Sequence, residues 1–165
     1  MWFWTFVGTS LLGTAMHFLY DLWPTALVSL FAPINESVWE HLKLLFWPML
    51  LGAVILSRKK PNKDRYWSSF FIALLGTPAL LLLCFYGLKA LGIASLTLDI
   101  SLYYICMLFG YTLARWLYRK KRPEKAGGFL LMVLILYVAS LILFTFAAPD
   151  LPIFRDFSQV MHNIW

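Results

Sequence analysis

The sequence predicts an all-α integral membrane protein, a bundle of five transmembrane helices with a short interfacial or re-entrant segment between helices 1 and 2. The first observation behind this prediction is composition, because 61% of the 165 residues are hydrophobic and only 13% are charged. A soluble domain of this length could not hide so much apolar surface from water. The second is a series of apolar runs, each near the roughly 20 residues that cross a bilayer. The third is the clustering of basic residues between those runs.

Five apolar stretches are long enough to cross the membrane, at residues 2–22, 36–57, 67–88, 98–118 and 127–147. All five are predicted to be helices, because lipid offers no partner for an unpaired backbone group. The first stretch lacks the basic start and the small-residue cleavage site of a signal peptide, so we expect it to be retained. With a tail at residues 148–165, the chain is predicted to form a single membrane domain over residues 1–165.

The basic residues predict the orientation of the bundle. Eleven of the fourteen Lys and Arg residues lie in two connections, SRKKPNKDR at 57–65 and RWLYRKKRPEK at 115–125. By the positive-inside rule both connections face the cytoplasm. This places the N-terminus on the cytoplasmic side of the cell membrane and the C-terminus on the extracytoplasmic side. The net charge of +6 therefore reflects topology, and we expect the lipid bilayer, not nucleic acid, to be the main partner. The sequence is also compatible with a membrane-protein partner or a homo-oligomer.

The outer connection between the first two spans, DLWPTALVSLFAPIN at 21–35, is unusually apolar. It is too short to cross a bilayer and too apolar to extend into water. A short interfacial or re-entrant segment between Pro24 and Pro33 fits this pattern.

Acidic residues and histidines collect on the predicted outer side. Six of the eight acids fall there: Asp21, Glu36, Glu40, Asp99, Asp150 and Asp156. The three histidines, His17, His41 and His162, lie on that side or just beneath it. Helical spacing also places His17 and Asp21 on one face of the first span. His17 lies about one turn below the outer end, and an ionisable group at that depth normally faces the bundle interior and is a functional candidate. The alternative is a neutral His17 that is hydrogen-bonded to a neighbour, with Asp21 at the membrane interface.

The start of the second span, NESVWEHLK, has two interpretations. In the first, it is a capping box in which Ser37 accepts from the Glu40 amide and Glu40 reaches back, with Asn35 as a rival cap. In the second, the cap coexists with a site. At 100° per residue, Glu36 and Glu40 share a stripe with Lys43, while His41 lies on another face and needs a partner from another helix.

The candidates for catalytic or binding roles are His17, Asp21, Glu36, Glu40 and His41, and the candidates for metal ligands are His17, Asp21, Glu36 and Glu40. Histidine and carboxylate ligands suit zinc or a similar divalent ion, which is the cofactor that these residue types indicate. No spacing in the chain matches a recognised metal motif. For Glu36 and His41, the nearest partners across the outer connection are predicted to be His17 and Asp21.

The segment HFLYDLWPTALVSLFAPINESVWEHLKLLFWPML, residues 17–50, resembles the signature of an uncharacterised family of small bacterial multi-pass membrane proteins. The similarity rests on the His-Phe-Leu-Tyr-Asp stretch at 17–21 and on NESVWEHLK at 35–43. APDLPIFRD at 148–156 is similar to the end of the family's sequence. This resemblance implies a multi-pass fold and carries no activity with it.

Three functions are compatible with these features. We favour a ligand- or partner-binding accessory or sensor protein, because this role needs only a stable bundle with a recognition face. The alternatives are a membrane-embedded enzyme, metal-dependent in one version, that acts on a lipid-like substrate, and a proton-coupled transporter. Buried ionisable groups can relay protons, but five spans without an internal repeat fit inverted-repeat carriers poorly. The sequence does not decide whether the protein is an enzyme.

Overall fold

The computed structural model describes residues 1–93, 95–120 and 126–156, which form helices joined by short connections. The helices are α1 (Trp2–Met16), α2 (Leu19–Leu22), α3 (Ala26–Ser29), α4 (Val38–Ser57), α5 (Lys63–Ala90), α6 (Leu96–Arg119) and α7 (Gly127–Phe146). A 3-10 turn at Pro152–Phe154 follows α7. The all-α prediction is confirmed over this part of the chain. The described residues do not include 121–125, in the second basic connection, or 157–165, at the end of the tail. His162 is therefore among the residues outside them.

Within the described residues, four helices are long and apolar enough to cross a membrane: α4, α5, α6 and α7. The predicted span at residues 2–22 is not confirmed, because α1 ends at Met16 and a turn separates it from α2. Phe18 sits in this turn with φ −92° and ψ −1°, outside the regular helical range. The 15 residues of α1 give a length of about 22 Å at 1.5 Å per residue. That is short of the roughly 30 Å of a bilayer core.

Helix α4 lies at the centre of the bundle and contacts α1, α5, α6 and α7. Its side chains supply much of the buried core, including Leu42, Phe46, Met49 and Ala53. Large apolar side chains cover the outer helices and remain exposed, as at Leu83 on α5. Soluble proteins rarely expose so many apolar groups together, whereas a bilayer solvates them.

Helix α1 packs closely on its neighbours through small residues and hydroxyl groups. A methyl group at Gly13 would lie 2.7 Å from the Leu44 carbonyl oxygen of α4 and would overlap the Tyr103 hydroxyl of α6. The same Tyr103 hydroxyl donates to the Ser10 carbonyl at 2.9 Å. In lipid, helices usually associate through close packing at small residues and through hydrogen bonds between helices. Burial of apolar surface adds little there, because the lipid is itself apolar.

The basic α4–α5 connection and the basic last turns of α6 meet at one end of the bundle. The Lys60 ammonium, after α4, lies 5.1 Å from the ring centre of Trp2 and 5.2 Å from that of Tyr118. Burial lowers the pKa of Lys60, and the charges of Arg115 and Arg119 lower it further. The start of α1 and the end of α6 therefore lie beside the α4–α5 connection, as the charge pattern predicts.

The apolar connection before α4 folds back along the first turns of that helix. After α3, the Leu30 carbonyl accepts a hydrogen bond from the Trp47 indole at 3.0 Å, and the Phe31 and Trp47 rings lie 5.0 Å apart. Trp47 follows Val38, the first residue of α4, by nine positions, which is about 13 Å along a helix. Other apolar side chains of the connection stay exposed: Leu22, Trp23 and Leu27.

Candidate functional site

Three ionisable side chains meet at the end of the bundle opposite the basic connections: His17, Glu36 and His41. We call them the His–Glu–His cluster. His17 lies in the turn after α1, Glu36 in the connection before α4, and His41 one turn into α4. The Glu36 Oε2 atom lies 3.4 Å from His41 Nε2 and 3.8 Å from His17 Nε2, and the two Nε2 atoms lie 3.4 Å apart. One atom of each side chain therefore points at a common space.

Glu36 joins the histidines because it precedes α4 instead of lying on it. The Ser37 hydroxyl accepts the Glu40 amide N–H at 3.3 Å and caps the helix, which begins at Val38. The predicted stripe of Glu36 with Glu40 and Lys43 is therefore wrong for Glu36, since helical spacing does not extend past the cap. The prediction that Ser37 caps the helix is confirmed.

His41 is held in one orientation by its own helix. Its Nδ1 atom lies 2.8 Å from the Ser37 carbonyl oxygen. A carbonyl can only accept, so Nδ1 carries a proton, and the neutral ring presents a lone pair on Nε2. The free lone pair of His41 therefore faces Glu36 and His17.

His17 is held by ring contacts. Its ring stacks on Phe18 at 5.2 Å and meets the His41 ring edge-on at 5.1 Å. The His17 Nδ1 atom is buried and has no hydrogen-bond partner within the described part of the chain. An unpaired buried N–H is costly, so the neutral ring keeps its proton on Nε2, toward the cluster.

The cluster attracts positive charge and is open to ligands. When His41 carries a proton on both nitrogens, its Nε2–H donates to the Glu36 carboxylate, and this hydrogen bond lowers the pKa of the Glu36 carboxyl against the opposing effect of partial burial. The side chains of His17, Glu36 and His41 are 33%, 48% and 29% exposed. The cluster thus brings an anionic carboxylate and two imidazole nitrogens together where a ligand can reach them.

Glu40 does not complete the capping box that the sequence predicts. The Ser37 backbone N–H, which Glu40 was expected to bind, donates instead to Asn35 Oδ1 at 3.0 Å. Asn35 thus acts beside Ser37 at the helix start, and the Glu40 carboxylate is left for another role.

Glu40 forms a buried ion pair with Lys43, at 2.6 Å. The pair is part of a larger network of hydrogen bonds. The Glu40 carboxylate also accepts from the Ile34 amide at 3.0 Å and from the Thr145 hydroxyl of α7 at 3.1 Å. The Lys43 ammonium also donates to the Ser29 carbonyl at 2.8 Å. The network fastens the folded-back connection to α4 and α7, directly behind the segment that carries Glu36.

Two members of this network were missed by sequence reasoning. Thr145 is a polar residue near the end of the apolar run of α7, and this contrast is a signal that could have drawn attention to it. Ser29 contributes its backbone carbonyl, which no side-chain pattern reveals. Thr145 meets Glu40 only through the packing of α7, and Ser29 meets Lys43 only through the folding back of the connection.

Asp21 and Glu40 lie outside the cluster. Asp21 is exposed on α2, because the turn at His17 ends the helical spacing that would have kept the two residues on one face. Glu40 is occupied by Lys43. The predicted metal-ligand set of His17, Asp21, Glu36 and Glu40 is thus half assembled, and His41 completes the group that the structure brings together.

The described part of the tail returns to the same end of the bundle. Phe154 packs against Trp39 at the start of α4, with ring centres 5.0 Å apart, and against Phe144 of α7 at 5.3 Å. Arg155 forms an exposed ion pair with Asp150 at 3.1 Å. The tail therefore covers part of the start of α4, at the same end of the bundle as the cluster.

Fold and site together define a class: a helical protein apolar enough to lie in a membrane, with an ionisable cluster at one end of its bundle. Residues 2–163 match the profile of the family described as "Family of unknown function (DUF6512)", and the chain belongs to that family. No curated protein and no solved structure matches the chain significantly. Membership of an uncharacterised family is thereby confirmed, while the NESVWEHLK signature and the bacterial source stay predictions.

Proposed function

We propose that this protein crosses the cell membrane five times and acts as an accessory or sensor protein, binding a ligand at its outer end. The observation that carries this proposal is the convergence of His17, Glu36 and His41. Their three inward-pointing atoms lie within 3.8 Å of one another and stay partly exposed. Ionisable groups inside a membrane are costly and usually mark a functional site, so their convergence at the end of a membrane bundle supports a binding role.

The position of α1 supports five crossings. Trp2 begins this helix beside Lys60 at the basic end, and His17 follows its last residue in the cluster at the other end. Helix α1 thus runs the length of the bundle beside α4, although it is short. With the basic end in the cytoplasm, the positive-inside rule places the cluster outside.

The frame around the cluster supports a binding role. His41 is oriented by the Ser37 carbonyl, and Glu36 lies on a segment fastened by the buried pair of Glu40 and Lys43. Binding groups that are held before the ligand arrives lose less conformational entropy when it binds. The tail and the apolar connection flank this end and offer further surface to a partner protein.

A sensor also needs an element that responds to the ligand. The cluster joins two separate segments, the turn after α1 and the start of α4. A ligand that contacts His17 and His41 together would hold the end of α1 against α4. Since α1 also bonds α6 through Ser10 and Tyr103, such a clamp would restrict movement between helices of the bundle.

Cysteine labelling in intact cells tests the outward position of the cluster. In a background with Cys84→Ala and Cys106→Ala, we expect Glu36→Cys to react with a membrane-impermeant thiol reagent applied from outside. Asp150→Cys on the tail should react likewise. The matched control is Lys59→Cys, exposed at the basic end, which should react only after the membrane is opened.

The opposite pattern, with Lys59→Cys labelled in intact cells and Glu36→Cys protected, would overturn the proposed orientation. Labelling of Asp150→Cys without labelling of Glu36→Cys would show that the cluster is closed to ligands from outside, and would remove the binding role.

A further inference from the structure

We propose that the His–Glu–His cluster binds a divalent transition-metal cation of the zinc class, through Nε2 of His17, Nε2 of His41 and Oε2 of Glu36. This inference rests on the proposed function, since it names the ligand of the same site. It assigns the ligands atom by atom and leaves one coordination position open.

The spacing of the three atoms matches the size of the ion. They form a triangle with sides of 3.4, 3.4 and 3.8 Å. The centre of such a triangle lies about 2.05 Å from each corner, within the 2.0–2.2 Å of zinc bonds to histidine and carboxylate. A regular tetrahedral site needs ligand atoms about 3.3 Å apart, so the side chains have to move by only a few tenths of an ångström.

The types of ligand select the class of metal. Imidazole nitrogen suits zinc and its transition-metal neighbours, whereas magnesium and calcium take oxygen ligands. Calcium in addition takes six to eight oxygens, and this cluster supplies a single carboxylate. Two imidazoles with one carboxylate therefore favour zinc or a similar ion over both.

The hydrogen-bond partners of the two histidines support this assignment and indicate how tightly the metal should bind. A histidine that binds metal through one nitrogen usually donates its other N–H to a carbonyl or carboxylate. His41 does so to the Ser37 carbonyl at 2.8 Å. His17 has no such partner, because binding through Nε2 moves its proton to Nδ1, which is buried and unpaired within the described residues. Loss of one outer partner typically weakens metal binding about 10–100-fold, so we expect affinity below that of a fully supported site.

Charge near the cluster also favours a cation. The Glu36 carboxylate neutralises one of the two positive charges of the ion. Asp99, at the start of α6, and Glu40 both interact electrostatically with His41. Lys43 pairs with Glu40, and Lys89 interacts with Asp99, so the Glu36 carboxylate is the negative charge that a cation in the cluster would meet directly.

Only three of the four positions of a tetrahedral ion would be filled by the cluster. Structural zinc sites usually close all four positions with protein ligands, whereas sites that exchange ligands keep one open. The exposure of Glu36, at 48%, places the open position toward solvent. Water, or a donor atom of a partner, would occupy it. A site that exchanges its ligand reversibly fits a sensor better than it fits a purely structural zinc site.

The test is metal titration of the full-length, tag-free protein in detergent micelles. We expect isothermal titration calorimetry with zinc chloride to show one ion per chain. Cobalt(II) should give the visible absorption bands of a low-coordinate site. Magnesium chloride should produce no binding. His17→Ala, His41→Ala and Glu36→Gln should each weaken zinc binding by more than about tenfold, the loss that outer-shell changes alone cause.

The matched control is Asp21→Asn, which changes an acid near His17 in sequence but outside the cluster, and which should leave the affinity unchanged. Glu36 is exposed, so Glu36→Gln changes the ligand set with little effect on folding, and thermal unfolding of each metal-free variant verifies this. Absence of zinc binding would overturn the metal assignment. Zinc binding that survives both His17→Ala and His41→Ala would overturn it equally.

The two proposals fail separately. If Glu36→Cys is labelled from outside but zinc does not bind, the metal assignment is wrong and the outer binding role stands. If zinc binds through the cluster but Lys59→Cys is labelled instead, the metal site stands and the proposed outward function is wrong.

Discussion

Replacing Lys43 with Met, while Glu40 stays in place, should destabilise the protein by about 3–5 kcal/mol, the usual cost of breaking a buried ion pair on one side. The Lys43 side chain is 0% exposed and that of Glu40 is 3% exposed, with 2.6 Å between their charged atoms. Methionine keeps most of the volume and the unbranched shape of lysine. The variant therefore removes the positive charge with little change in packing.

The same magnitude follows from the individual contacts. Lys43→Met removes a charge-assisted bond to Glu40 and a bond to the Ser29 carbonyl. A hydrogen bond between neutral groups is worth about 0.5–1.5 kcal/mol and one to a charged group about 1.5–3 kcal/mol. Glu40 keeps its bonds from Ile34 and Thr145 but loses its counter-ion in a buried place. A helix cap alone is worth much less, so Ser37→Ala should cost about 1 kcal/mol.

The assay is unfolding of the purified protein in mixed micelles by stepwise addition of sodium dodecyl sulfate, followed by tryptophan fluorescence. Lys43→Met, Glu40→Gln and the double variant form a double-mutant cycle. We expect the double variant to cost less than the sum of the two single changes, because it leaves no buried charge unpaired. The reasoning is refuted if Lys43→Met costs no more than Ser37→Ala, or if the two single changes simply add.

Two further predictions concern the packing of α1 and of the tail. Gly13→Ala should destabilise the protein by about 1–3 kcal/mol, because the added methyl group overlaps Tyr103 and crowds the Leu44 carbonyl. Gly8→Ala on the same helix meets no atom within 4 Å and should be neutral, so equal losses at both glycines would contradict the packing. Trp39→Ala removes the ring contacts to Phe144 and Phe154 and should speed proteolytic cleavage of the tail. Trp4→Ala, with a side chain that is 73% exposed, is its control, and unchanged cleavage of Trp39→Ala would show that the ring contacts do not hold the tail.

The apolar runs predicted most helices to within a few residues. The predicted span at 127–147 corresponds to Gly127–Phe146, and that at 98–118 to Leu96–Arg119. Helix α5 is longer than its predicted span at 67–88, because Asn62 caps it with its side chain and its polar first turn stays helical before the apolar run begins. Hydropathy identifies the apolar part of a helix that contacts lipid, and the helix can continue beyond that part with polar residues.

The helix start at Ser37 was the point where periodicity misled. Angles of 100° per residue apply only to residues that are in the helix. Ser37 was correctly predicted as a cap, and this alone excludes Glu36 from the helical stripe. Applied consistently, the capping signal would have separated Glu36 from Glu40 and left it free to join the histidines.

The sequence alone determined that this protein is helical and suited to a membrane, and that most of its acids and histidines gather at the end opposite its basic residues. The hydropathy of each segment and the positions of the charged residues follow directly from the sequence, so they are known before the fold is. Which of those residues touch was decided by tertiary packing. The fit of Gly13 between α4 and α6 sets α1 beside α4, and this brings His17 to His41. The packing of α7 brings Thr145 to Glu40, so that one glutamate holds the fold together while the other, Glu36, faces the site.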